Sequence, residues 1–151
     1  MKLLRLFNVL VTLLLFSTAS VFAQDQKAYV TLGGFNEVPR VNTPATGSVQ
    51  IELEGDSLFV SGEFSNLKFP YHSAFIHYGE KRETGNRLFR LTPELSDDQK
   101  NGNFEKEKNG FALTKALKKH LKNGLLYVNI SSQQHQTGEI RGQIPSFKEV
   151  Q

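Results

Sequence analysis

The chain has no cysteine and no tryptophan, a single methionine, and only five prolines in 151 residues. Without a thiol, disulfide staples, thiolate nucleophiles and a lipid-modified cysteine are all excluded. Catalytic signatures are missing too: there is no Gly-x-Ser-x-Gly, no His-Glu-x-x-His, no phosphate loop and no Gly-x-Gly-x-x-Gly. No apolar run reaches the roughly 20 residues that a bilayer span requires. Adjacent carboxylates occur once, at Asp97-Asp98, where neighbours in a polar loop are ordinarily just solvated, and no partner group in a cleft is identifiable for paired-carboxylate catalysis.

What is present at the start reads as an export signal. Lys2 and Arg5 supply a positive end, an apolar run follows over 6–16, and small residues lead to Val21-Phe22-Ala23. Small side chains before the cut suit the shallow pockets of signal peptidase, so residues 1–23 are expected to be a cleavable signal peptide. Removing 23 of 151 residues leaves 128 for one domain, 24–151, large enough to bury a core without covalent staples. Loss of Lys2 and Arg5 also lowers the formal charge from +3 to +1, so no nucleic-acid partner is implied. The expected location is periplasmic or secreted, with no stable membrane anchor after cleavage.

Periodicity of two dominates the remainder. Val49, Ile51 and Leu53 alternate with polar residues, Gly55-Asp56 turns the chain, and Leu58, Val60 and Phe64 resume the alternation. Further strands are expected over 28–32, 73–78, 87–91, 125–131 and 139–144. In the last two, Leu126, Val128, Ile130, Ile140, Gly142 and Ile144 face one way; Tyr127, Asn129, Ser131, Glu139, Arg141 and Gln143 face the other. The pattern predicts an all-β, Greek-key-like antiparallel β-sandwich with one short helix in the C-terminal third. That helix is expected to be capped by Thr114, to bury Leu113, Ala116, Leu117 and Leu121, and to stop at Asn123-Gly124. Lys115, Lys118, Lys119 and Lys122 then form its solvated face. The polar segment 93–110, with Phe104 as its main apolar residue, reads as a long surface excursion.

Metal motifs are poorly supported. Asp97, Gln99, Asn101 and Gly102 imitate the first half of a calcium loop, but Lys108 stands where the bidentate glutamate belongs. His72 and His77 are five apart and leave opposite strand faces; His120 borders the helix stripe and His135 lies in a loop. No cofactor or metal is expected. Asn129-Ile130-Ser131 is a glycosylation sequon inside a predicted strand and is treated as incidental.

Three ordered stretches carry a family resemblance: Leu32-Gly33-Gly34-Phe35-Asn36-Glu37-Val38-Pro39 running on to Ala45-Thr46-Gly47; Ala74-Phe75-Ile76-His77-Tyr78-Gly79; and Gly124-Leu125-Leu126-Tyr127-Val128-Asn129-Ile130 followed by Gly138-Glu139-Ile140-Arg141-Gly142-Gln143. Together they resemble the CHRD domain, named from chordin and frequent in exported bacterial single-domain proteins, over about 29–144. The resemblance implies an all-β sandwich and brings no established enzymatic activity. Two departures stand out. Phe75 replaces the first histidine of the family's usual His-Ile-His, and Ile130-Ser131-Ser132 stands where Val-His-Thr is usual.

The polar motif residues Glu37, His77, Asn129, Glu139 and Arg141 form the candidate binding set. Asn129 and Arg141 fall on one face of neighbouring strands, and Glu37 is placed to meet the Arg141 guanidinium in a bidentate pair, either as a structural clamp or as part of a polar site. The expected role is a non-enzymatic module of the envelope or extracellular space that binds a protein or glycan, with Phe35, Tyr71 and Tyr78 as exposed aromatics. The alternative is a metal-dependent redox protein similar to copper–zinc dismutase, which requires His77 and His135 to lie within about 4 Å.

Overall fold

In the computed structural model, which describes residues 26–147, the alternation around Gly55 becomes a tight hairpin. Its strands are β2 (Thr46–Glu54) and β3 (Ser57–Ser65), with Glu54 opposite Ser57. Gly55 takes φ +58 at the first turn position, a left-handed conformation open to glycine at little cost. Before the hairpin runs β1 (Gln26–Gly33). After it come β4 (Tyr71–Tyr78), β5 (Arg87–Leu91), β6 (Glu94–Leu95), β7 (Gly102–Phe104) and β8 (Gly110–Ala112). Helix α1 (Lys115–Lys122) then precedes β9 (Leu126–Ser132) and β10 (Ile140–Gln143).

Every strand pairing is antiparallel. The sandwich is made by one continuous sheet in the order β5-β4-β9-β10-β1-β2-β3-β7-β6, with β8 added beside β3. The link from β3 to β4 crosses from one end of that path toward the other, so β4 pairs with β9 rather than with its sequence neighbour. The sheet curls over one core. Val49, Ile51, Leu58 and Val60 from the hairpin meet Ile76, Val128, Ile130 and Ile140 from the other half in a single buried cluster. Thr114 caps α1 as expected, its Oγ1 accepting from Leu117 N at 3.2 Å, and Leu121 is buried, but Leu117 is half-buried and Ala116, expected in the buried stripe, is exposed. Gly124, φ +71, ends the helix.

The segment 93–110 is corrected. It lies at the surface as expected, but it is built into the sheet edge: it supplies β6 and β7 and a 3₁₀ turn at Lys106–Lys108, and Phe104 is only 1% exposed, its ring 5.7 Å from Phe64. Strands this short carry too few alternating residues to show a period of two, and their side chains at the sheet edge remain polar. The export signal expected over 1–23 lies outside the described residues. Among the described residues no helix is long and apolar enough to cross a membrane.

Candidate functional site

The outward face of β9 and β10 ought to be solvated if it were ordinary. Instead all seven residues of β9 are buried, on both faces. The polar side chains on this face are covered by two loops, one from each side, and both are held by the strand residues beneath them.

The first loop follows β1. A 3₁₀ turn at Gly34–Asn36 reverses the chain, with Val41 N donating to Gly34 O at 2.9 Å, and lays Glu37 over β9. Asn129 Nδ2 lies 3.1 and 3.2 Å from the two Glu37 carboxylate oxygens and donates to them. Gly138 makes this contact possible: a Cβ there would sit 2.4 Å from both Glu37 Oε1 and Asn129 Nδ2, and its φ of +149 disfavours any other residue. Further along the same loop Thr43 Oγ1 donates to Glu139 at 2.5 Å. Glu139, fully buried, also accepts from Lys68 N at 2.7 Å and from Ser132 Oγ. This carboxylate is the clamp: it ties three separate chain segments together.

The second loop, 79–86, covers the other end of the face. Arg141, opposite Asn129 in the β9–β10 pairing, donates from Nη1 to Glu83 O at 2.6 Å and from Nη2 to Glu80 O at 2.9 Å. Its guanidinium carbon lies 3.5 Å above the centre of the Tyr127 ring, a cation–π contact. Tyr127 Oη accepts from Gly85 N at 3.1 Å, and its ring stacks at 4.8 Å on His77. His77 Nδ1 donates to Gly85 O at 3.0 Å, which fixes the hydrogen on Nδ1. Burial, with smaller help from the charges of Arg87 and Arg141, pushes the His77 imidazole below its ordinary value against the pull of that carbonyl.

The expected bidentate pair of Glu37 with Arg141 does not form. No nitrogen of Arg141 lies within 4.0 Å of a Glu37 oxygen, because the guanidinium donors are spent on the carbonyls of the second loop. Arg141 still acts on Glu37 through space and lowers its pKa. Burial outweighs it, and the Glu37 carboxyl is pushed up to about 7.

Between the two loops opens a cleft of about 470 Å³. Phe35, Glu37 and Arg40 form one wall, Lys81 and Arg82 the other, with Arg141 and Gln143 below. Phe35, 65% exposed, folds its ring across Gly33. Arg40, Lys81 and Arg82 point out of loops with no alternating pattern, so their grouping had no signal in the sequence beyond the adjacency of Lys81 and Arg82. Of the other aromatics, Tyr78 packs edge-on against His120 at 4.8 Å, while Tyr71 is corrected: it stacks on Phe64 at 5.9 Å and joins the core rather than an exposed patch. Burial pushes the Tyr71 hydroxyl up to about 12.

The family-wide match is a CHRD domain model, over residues 28–144. The chain belongs to the CHRD family. No curated protein and no solved structure matches it significantly. Within this CHRD domain the five motif residues divide between two devices. Glu139 is a structural tie, whereas Glu37, Asn129, Arg141 and His77 hold the two loops that bound the cleft. The residues do not fit a dismutase-like metal centre. His77 sits opposite Tyr127 near one end of β4, and His135 neighbours Ser132, opposite Tyr71 at the other end. Six strand residues place them roughly 20 Å apart. Among the described residues no three His, Cys, Asp or Glu side chains are grouped to hold a metal. Asn129 of the sequon is buried with its amide engaged.

Proposed function

We propose that this CHRD protein is an exported, non-enzymatic binding module of the envelope or extracellular space, and that its ligand is taken in the cleft between the two loops. The observation carrying this reading is that three exposed cations, Arg40, Lys81 and Arg82, line the cleft and have no carboxylate or carbonyl partner among the described residues. Loops fixed on a rigid sheet are where such scaffolds present recognition groups. Export is supported by the composition of residues 1–23. The partner is an envelope glycan or protein bearing negative charge.

One observation favours a second reading. A carboxyl titrating near 7 beside a cleft has the pKa of a general acid or base. Yet both Glu37 oxygens are directed at Asn129, and the cleft walls carry no serine, threonine, histidine or second carboxylate to act with it. Binding is the reading we keep.

The test is retention of charged envelope material on the immobilised protein, compared with Arg82→Glu. Wild type is expected to retain material that the variant releases. Equal retention by both would remove the cleft as the site.

A further inference from the structure

The geometry points to an acidic saccharide, a uronate-bearing glycan chain, as the ligand of this cleft; the inference rests on the binding reading above and names its chemical class. Three features of the walls select it. The first is charge. Four cations border the space, Arg40, Lys81, Arg82 and Arg141, against the single carboxyl of Glu37. Arg141 is committed to Glu80 O and Glu83 O, so the groups left to meet an anion are Arg40, Lys81 and Arg82. They approach from opposite walls, so an anion seated between them is held from both sides.

The second feature is Phe35. A phenyl ring that lines a polar cleft, rests against Gly33 and is still 65% exposed offers an apolar surface to a ligand. The C–H face of a pyranose covers such a plane and leaves its hydroxyls in water, which a free inorganic anion does not do. The third is the amide lining: Asn36 and Gln143 stand among the cations. Gln143 Nε2 is engaged with the carbonyls of Gly79, Gly124 and Leu126, which turns its acceptor oxygen toward Arg141 and the cleft floor, 3.4 Å from Nη2. Acceptors and donors together match a ring carrying both hydroxyls and a carboxylate.

Groups facing Glu37 set the charge that a ligand meets. They are Arg141 on β10, which acts through space, and the donors Asn129 on β9 and Val38 N on its own loop; Arg40, Lys81 and Arg82 line the same cleft. With Glu37 neutral the site is purely cationic; with Glu37 ionised it repels the incoming carboxylate. Affinity is therefore expected to weaken as pH rises through the Glu37 titration, by about threefold to tenfold, since a one-unit coupling is a factor of ten.

The test uses the full exported chain and calorimetric titration with a galacturonate oligosaccharide. A neutral glucose oligosaccharide, oligoaspartate and inorganic phosphate serve as comparators. The galacturonate is expected to bind, the neutral sugar at least about tenfold more weakly, with affinity falling as salt rises. Lys81→Ala with Arg82→Ala should weaken it by about tenfold or more, and Phe35→Ala by about threefold to tenfold. Oligoaspartate or phosphate binding as tightly as galacturonate, or a Phe35→Ala variant with unchanged affinity, would overturn the saccharide assignment. So would neutral sugar binding equally well. If galacturonate fails while envelope material is still released by Arg82→Glu, the ligand class falls and the binding role stands. If both fail, both fall.

Discussion

Around the β2–β3 hairpin, cations have carboxylates against them: Lys27 and Lys106 on Glu52 at 2.5 and 2.7 Å, Lys106 again on Glu54, Lys108 on Glu94 and Glu105, Lys118 on Asp56 at 2.7 Å. Across the molecule, Arg40, Lys81 and Arg82 gather at one cleft with no such partner among the described residues. Charge is thus handled differently in the two regions. Near the hairpin the carboxylates are neutralised from within, whereas the cleft gathers three exposed cations in one place, while Arg90 and Lys119 stand singly on the surface. The buried carboxylates divide the same way. Glu139 receives donors from Thr43, Lys68 and Ser132, whereas for Glu37 a distant guanidinium, the Val38 N–H and the Asn129 amide do not offset the cost of burial. The contrast separates groups that hold the fold from groups that shape the site.

Glu139→Ala should have the largest effect. It removes the acceptor of three donors at a fully buried position, and a loss of about 3–5 kcal/mol in urea unfolding is expected. A loss under about 1 kcal/mol would show that Glu139 is not a tie.

Glu37→Gln should act in the opposite direction, and only at higher pH. The folded carboxyl holds its proton up to about 7, while the unfolded one releases it at about 4.5. Between those values the folded state binds more protons, so stability falls as pH rises, and the full penalty applies above 7. Removing the charge should raise stability by up to about 3 kcal/mol at pH 8 and leave it unchanged at pH 4. Melting curves of both proteins at the two pH values measure this directly.

Lys108→Ala, which breaks exposed pairs with Glu94 and Glu105, should lower the melting midpoint only slightly, and less in high salt. Smallest of all, Arg82→Ala should shift the melting midpoint by no more than the scatter of repeats, because nothing in the fold leans on that side chain. A clear destabilisation by Arg82→Ala would blur the distinction between the two regions.

Much of the fold was legible because its long strands alternate cleanly. The β2–β3 hairpin, the Thr114 cap and the cross-strand pairing of Asn129 with Arg141 follow from local pattern and short-range geometry. The polar residues of the site were also visible as motif residues. Their partners were not. Which acceptors Arg141 would choose depended on a loop returning from 79–86, and backbone carbonyls have no signature in a sequence. Likewise the role of Glu139 needed Thr43 and Lys68, which lie 96 and 71 residues away in the chain. Alternation shows which side chains share a face of β9, but it does not show that a second layer of loops covers that face.

That buried polar face holds both loops in place, and the ionisation of Glu37 reports on it most directly. Carboxyl-carbon NMR of the glutamates followed from pH 3 to pH 9 should show one titrating near 7, absent from Glu37→Gln. If Glu37 titrates near its ordinary value of 4.5, the loop does not seal the β9–β10 face and the cleft described here is an open surface.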